Sequence, residues 1–168
     1  MYLTGGEFKG LKIEVPKSAR PTLSKVRESI FNMLDNLEHG NTFLDMFAGS
    51  AIMGLEALSR GYSVTELEID KKAANIIKTN YAKVNKKPDL IICDSLKYTG
   101  KKFDIIYLDP PWIKDYKPII QKANNLVNDY GLLIVEHENE IEFGEFKLEH
   151  LKSKKYGRCL VDVLRNIK

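Results

Sequence analysis

The run Phe103 to Trp112, FDIIYLDPPW, constrains this chain more than any other. Phe103 to Leu108 reads as a buried strand that runs straight into Asp109-Pro110-Pro111-Trp112. Neither proline has an N–H to give to a ladder, and the residue before each is held out of the helical region. The chain is therefore stiff and extended at the carboxyl end of a strand, where an open α/β sheet places its ligand crevice. Such a corner offers the Asp109 carboxylate, the Pro110 carbonyl and the flat ring of Trp112. Together they suit a planar base with an exocyclic amine: two acceptors for its N–H groups and a face to stack on. Taken alone, the quartet reads equally well as a proline-stiffened loop whose Trp fills a gap.

The other signals set this corner in context. At 168 residues, 43% hydrophobic and 29% charged, the chain is expected to form one soluble domain with a proper core. No apolar run approaches the roughly 20 residues of a membrane span, and MYLTGGEFKG lacks the apolar stretch of a signal peptide. Cys93 and Cys159 are far apart and without metal-ligand spacing, so reduced structural thiols and no metal are expected. Net charge is +3 but unevenly spread. Residues 1–27 hold six Lys/Arg against two acids and 147–168 seven against two, while 28–146 hold thirteen against nineteen. Basic ends around an acidic middle suggest arms that meet phosphate, with solvated termini as the plain alternative.

Along the chain, glycines at 5, 6 and 10 punctuate short segments that read as a small β-hairpin carrying Lys9 and Lys12. Leu23 to Glu38 is a helix with Val26, Ile30, Met33, Leu34 and Leu37 on its apolar stripe; Arg27 and Glu28 lie off it, as surface charges do. Thr42 to Phe47 is a strand feeding the small-residue turn Ala48-Gly49-Ser50-Ala51-Ile52-Met53-Gly54 and a helix through Leu58. Strand, turn and helix form a nucleotide-type unit in which small residues let the backbone approach a ligand, although the pattern is not GxGxxG. Ser63 to Glu68 is a second strand whose terminal acid suits ribose hydroxyls. Asp70 caps a helix to about Val84, and Asp89 to Cys93 is a third strand ended by Asp94, either an N-cap or a ligand for an adenine amine. Tyr116 to Asn128 is a helix and Gly131 to Glu136 a strand. Phe146 to His150 and Arg158 to Leu164 form an antiparallel pair at the edge, turning at Tyr156-Gly157. His137 and His150 are isolated in sequence and read as structural or solvent-facing.

LDMFAGSAIMGLEALSRG, LEID, CD and YLDPPW together resemble a class I methyltransferase dependent on S-adenosylmethionine (SAM). The GG..KG hairpin, ARPT..KVRESIFN, VEHE and KKYG further resemble the bacterial family that methylates N2 of guanine 966 in 16S ribosomal RNA. The resemblance implies an α/β, Rossmann-like sheet, mostly parallel with an antiparallel edge strand. Residues 1–38 would be an RNA-contacting hairpin and helix, and 39–168 the SAM-binding core. Asp45, Phe47, Ala48, Gly49 and Ser50 would hold the methionine end of SAM, Glu68 the ribose and Asp94 the adenine. Asp109, Pro110 and Trp112 would hold the guanine, and Arg20, Thr22, Arg27, Lys9 and Lys12 the RNA. The implied partner is 16S RNA or the small ribosomal subunit, met in the cytoplasm by a monomer. Methyl transfer would be direct and in line, with Asp109 at an ordinary pKa. Three positions depart from the family: Ala51 stands for Gly and would loosen cofactor binding, Trp112 stands for Phe or Tyr, and Leu11 for a basic residue. The rival readings are a DNA adenine or cytosine amino-methyltransferase, which 168 residues leave without a target-recognition domain, and a non-catalytic RNA-binding protein of the same fold.

Overall fold

Strand alternation divides the core into two layers. Phe43, Ile105, Tyr107, Leu132 and Ile134 pack on one face of the sheet, and Leu44, Ile106, Leu108, Leu133 and Val135 on the other. Both faces are covered, so Phe43–Leu44, Ile105–Leu108 and Leu132–Val135 are continuous buried apolar runs. The computed structural model describes residues 1–20, 22–111 and 113–168. Its strands are β1 (Thr42–Asp45), β2 (Ser63–Glu68), β3 (Asp89–Ile92), β4 (Phe103–Leu108), β5 (Val127–His137), β6 (Leu148–Tyr156) and β7 (Cys159–Asn166). They form one seven-stranded sheet in the order β3-β2-β1-β4-β5-β7-β6. β7 alone runs against its neighbours, paired antiparallel to both β5 and β6. The reversed strand thus lies one place in from the edge, and β6 forms the edge itself.

Helices α1 (Ser24–Leu34), α2 (Ile52–Ser59) and α3 (Lys71–Ala82) cover the first face, and α4 (Lys117–Leu126) the second. β1 and β4 are adjacent, but the chain leaves β1 toward one face and β4 toward the other. Their carboxyl ends therefore splay apart at a topological switch point, which opens a crevice. β5 begins at Val127, earlier than expected from sequence, and passes through Tyr130 at φ 60° and a register shift opposite Phe103–Ile105.

The amino-terminal segment is a hairpin reduced to one bridge, Tyr2 to Lys12, with Leu3 and Ile13 buried in the main core. Leu11, where a base was expected, packs partly against that core. Gly6 sits at φ 75° so close to the Ser59 carbonyl that a Cβ would come within 2.0 Å of it. Arg27 corrects the sequence reading: it is fully buried, not a surface charge. Its stem lies under the hairpin, where Nε meets Glu56 at 3.0 Å, Nη1 donates to the Thr22 carbonyl and Nη2 to the Tyr2 carbonyl at 2.8 Å. Among the described residues, no helix is long and apolar enough to cross a membrane.

Candidate active site

The β1 half of the crevice is built from backbone turned toward acids. After Asp45 the chain bends through Gly49 (φ 57°) and Ala51 (φ 62°) into α2. Nothing lies within 4 Å of where a Gly49 Cβ would sit, so open space faces the turn. Glu68, at the end of β2, accepts from the Gly49 N–H at 2.7 Å and from the Asp70 N–H at 2.9 Å. Asp94 caps a single 3-10 turn through Leu96 N–H at 3.0 Å, as the N-cap reading has it. Asp70 caps α3 as expected. Exposed Ile69 and Leu96 flank Glu68 and Asp94 with apolar surface, a pairing not singled out in the sequence. Asn80, fully buried, holds the far side of the turn by donating to the Ser50 carbonyl at 3.0 Å.

Beneath the turn lies a carboxyl pair of which only Asp45 was expected. Burial raises Asp45 to about 7, against the pull of N–H groups from Phe47 and Gly54. Burial also raises Glu66 well above the carboxylate range, and the Asp45 charge adds to this. Among the described residues Asp45 Oδ1 and Glu66 Oε2 are buried without partners, while Glu66 Oε1 accepts from Tyr81 at 2.6 Å. Gly54 has its reason here: a Cβ would lie 1.7 Å from Glu66 Oε1, so this glycine makes room for an acid and not for a ligand. Alternation on β2 puts Glu66 and Glu68 on one side, which was the available sequence signal.

The fit to a SAM-like molecule is good. The Gly49 turn leaves the space a close backbone approach needs. Glu68 and Asp94 retain lone pairs for hydroxyl and amine donors, and Asp45 Oδ1, buried and unpartnered among the described residues, is a spare acceptor just before the turn. Ala51 is fully buried, so its methyl does not enter this space. The expected loosening of cofactor binding gives way to a different cost, a left-handed backbone in a non-glycine residue.

The β4 half is built from side chains. β1 and β4 are parallel neighbours with Asp45 opposite Tyr107, and Met46 N–H bonds the Tyr107 carbonyl at 3.1 Å. The Asp109-Pro110 corner therefore stands across from the Gly49 turn. Trp112 lies outside the described residues. Asp109 does not keep an ordinary pKa: desolvation raises it well above the carboxylate range, reinforced by the Glu136 and Asp45 charges and opposed by Arg20 and the Thr22 hydroxyl. Tyr107 is buried and gives its hydroxyl to Glu136 Oε2 at 2.5 Å. Thr22 Oγ1 is 3.3 Å from that hydroxyl and 3.5 Å from Glu136 Oε2. Cys159 donates to Glu136 Oε1 at 3.3 Å, and burial with the Glu136 charge pushes its thiol up. Glu136 was missed, although it is a strand-end acid like the others.

The residues expected to meet RNA divide. Arg20 is exposed, ion-paired with Glu138 and close enough to act on Asp109. Thr22 is buried at the crevice wall and Arg27 is sealed behind it, so Arg27 cannot touch RNA. Lys9 and Lys12 are exposed on the hairpin, whose tip bonds Ser59 at the end of α2. A groove of about 430 Å³ lined by Phe8 to Leu11 and Lys83 to Asn85 puts the hairpin tip beside the end of α3, whose start is next to Glu68. The histidines are structural or solvent-facing, as read from the sequence, but they share a partner: Asp162 accepts from buried His137 at 2.5 Å and from half-exposed His150 at 2.6 Å. Those bonds outweigh burial and hold Asp162 at about 2.

The family model described as Conserved hypothetical protein 95 matches residues 1–165. The chain is 36% identical over 162 residues to YlbH from Bacillus subtilis, covering 86% of each. It is 32% identical over 153 residues to Ribosomal RNA small subunit methyltransferase D from Escherichia coli K12, covering 84% of this chain and 76% of that one. The solved yhhF structure from Escherichia coli superposes with a TM-score of 0.88 at 27% identity, covering 99% of this chain and 98% of that one.

Proposed function

We infer, because the chain belongs to the Conserved hypothetical protein 95 family, that it is a SAM-dependent methyltransferase acting on N2 of a guanine in 16S ribosomal RNA. The observation that carries this reading is the switch point itself. An Asp-Pro corner after β4 stands across the crevice from the glycine turn after β1, because the two strands are parallel neighbours whose chains leave toward opposite faces of the sheet. SAM, when bound, supplies a sulfonium methyl that is already electrophilic. The remaining work is positional. Asp109 and the Pro110 carbonyl accept from the guanine amine, orient its lone pair and stabilise the positive charge that develops on nitrogen. Trp112 stacks on the base, for which base–aromatic contact offers roughly 1–3 kcal/mol. Glu68 and Asp94 take the ribose and adenine, and the Asp45 turn takes the methionine end.

The raised pKa of Asp109 has a consequence. Only the ionised carboxylate accepts from two directions, so the rate should climb with pH as the Asp109 proton leaves, above the ordinary carboxylate range. Arg20, exposed at the rim, contacts RNA phosphate near the target, while Lys9 and Lys12 meet phosphates along the hairpin. The small subunit or its assembly intermediate is the substrate, bound by a monomer in the cytoplasm.

A labelled-methyl assay on unmodified small subunits tests this. Wild type should deposit label on guanine N2. Asp109→Ala should lose about 1,000-fold in rate while calorimetry shows SAM binding unchanged. Retained activity in that variant would remove Asp109 from the mechanism. Label on adenine or cytosine would favour the rival amino-methyltransferase.

A further inference from the structure

We propose that Glu136 reads the target base as guanine, its carboxylate accepting the ring N1–H while Asp109 accepts from the neighbouring amine. This rests on the reading of Asp109 given above and names what selects the substrate. The two acids follow consecutive register partners. Leu108 pairs with Val135 across parallel β4 and β5, so Asp109 and Glu136 come next on adjacent strands. Glu136 is only partly buried, and its orientation is fixed from behind. Tyr107 and Thr22 hold Oε2, and Cys159, a weak donor, holds Oε1. Among the described residues each hydrogen bond to this carboxylate comes from a donor, so the carboxylate offers lone pairs to the crevice. Spare acceptor capacity remains, because an ionised carboxylate has about four lone-pair sites.

That arrangement discriminates by chemistry. Guanine alone among the four RNA bases carries an amine and a ring N–H side by side. Beside the amine of adenine or cytosine the ring nitrogen is an acceptor, and its lone pair would face a carboxylate with no proton between them. The second acid therefore admits guanine and rejects the two other bases that have an exocyclic amine.

The test uses small subunits whose target nucleotide is guanine, 2-aminopurine or 6-thioguanine. 2-Aminopurine keeps the amine but presents a lone pair at N1, and 6-thioguanine keeps both donors while altering O6. Wild type should use 2-aminopurine about 10- to 100-fold less well by kcat/KM, and 6-thioguanine nearly as well as guanine. In Glu136→Gln the amide N–H can donate to N1, so the guanine to 2-aminopurine ratio should fall toward one. A merely structural role would lower both rates together and leave that ratio unchanged, which would overturn the proposal. Equal use of the two bases by wild type would overturn it as well, without any variant having to fold. Failure to methylate guanine at all would instead sink the earlier reading of the site.

Discussion

The two halves of the crevice hold their carboxylates by different means. On the β1 side, Glu68, Asp94 and Asp45 are bonded by backbone N–H groups of nearby turns. On the β4 side, Glu136 is held by the hydroxyls of Tyr107 and Thr22 and the thiol of Cys159, side chains from three distant parts of the chain. Backbone donors survive almost any substitution of the residue that carries them. Side-chain donors do not. The cofactor half should therefore tolerate change around it, while the base half should depend on residues that never touch the base.

The largest effect should come from Arg27→Ala. It leaves buried Glu56 without one of its two guanidinium partners, the other being Arg60, and frees the Thr22 carbonyl. A loss of about 3–5 kcal/mol is expected in denaturant unfolding. In whatever fraction stays folded, methyl transfer should fall while SAM binding holds. If calorimetry instead showed cofactor affinity lost first, the contrast between the halves would fail. Next, Glu68→Ala should weaken SAM roughly 10- to 100-fold by calorimetry, since it removes two backbone bonds and the ribose acceptor. An unchanged affinity would show that the turn keeps its shape alone.

Acid–base behaviour sharpens the comparison further. Asp45 is raised from about 3.9 unfolded to about 7 folded, so the native state binds the extra proton. Its contribution to stability is full below about pH 4 and fades as pH rises through 7. Asp162 is displaced the other way, to about 2, so its contribution is present above about pH 4 and lost as pH falls through 2. Thermal melts of Asp45→Asn should accordingly show a shallower neutral decline, of which Glu66 and Asp109, also raised, keep part, and an unchanged acid one. The smallest effect is Ala51→Gly. Relief of the left-handed backbone, set against the entropy glycine adds to the unfolded chain, should raise stability by about 1 kcal/mol with SAM affinity unchanged. A gain in affinity would return Ala51 to the cofactor contact expected from its sequence.

Much of the cofactor half was legible in sequence because its contacts are local. A strand, a small-residue turn and an acid some 20 residues on lie within one β-α-β unit, and the spacing fixes their geometry. Gly54 was the exception, since its neighbour Glu66 belongs to another strand. The β4 half was legible only at Asp109-Pro110, where proline stiffness is a property of the residues themselves. Arg27 looked like any charge off an apolar stripe until the hairpin folded over it. His137 and His150 looked unpartnered because Asp162 lies on a third segment, brought alongside by the β5-β7-β6 pairing.

The chain's residues by themselves determined the strands, the turn that faces a ligand and the stiff acidic corner, because periodicity, small side chains and proline act over a few neighbours. Folding alone decided which acids share a crevice. Burial and long-range pairing bring Thr22, Tyr107, Glu136 and Cys159 together from positions far apart in sequence; burial, with the Glu136 and Asp45 charges, raises Asp109, and the three donors aim Glu136.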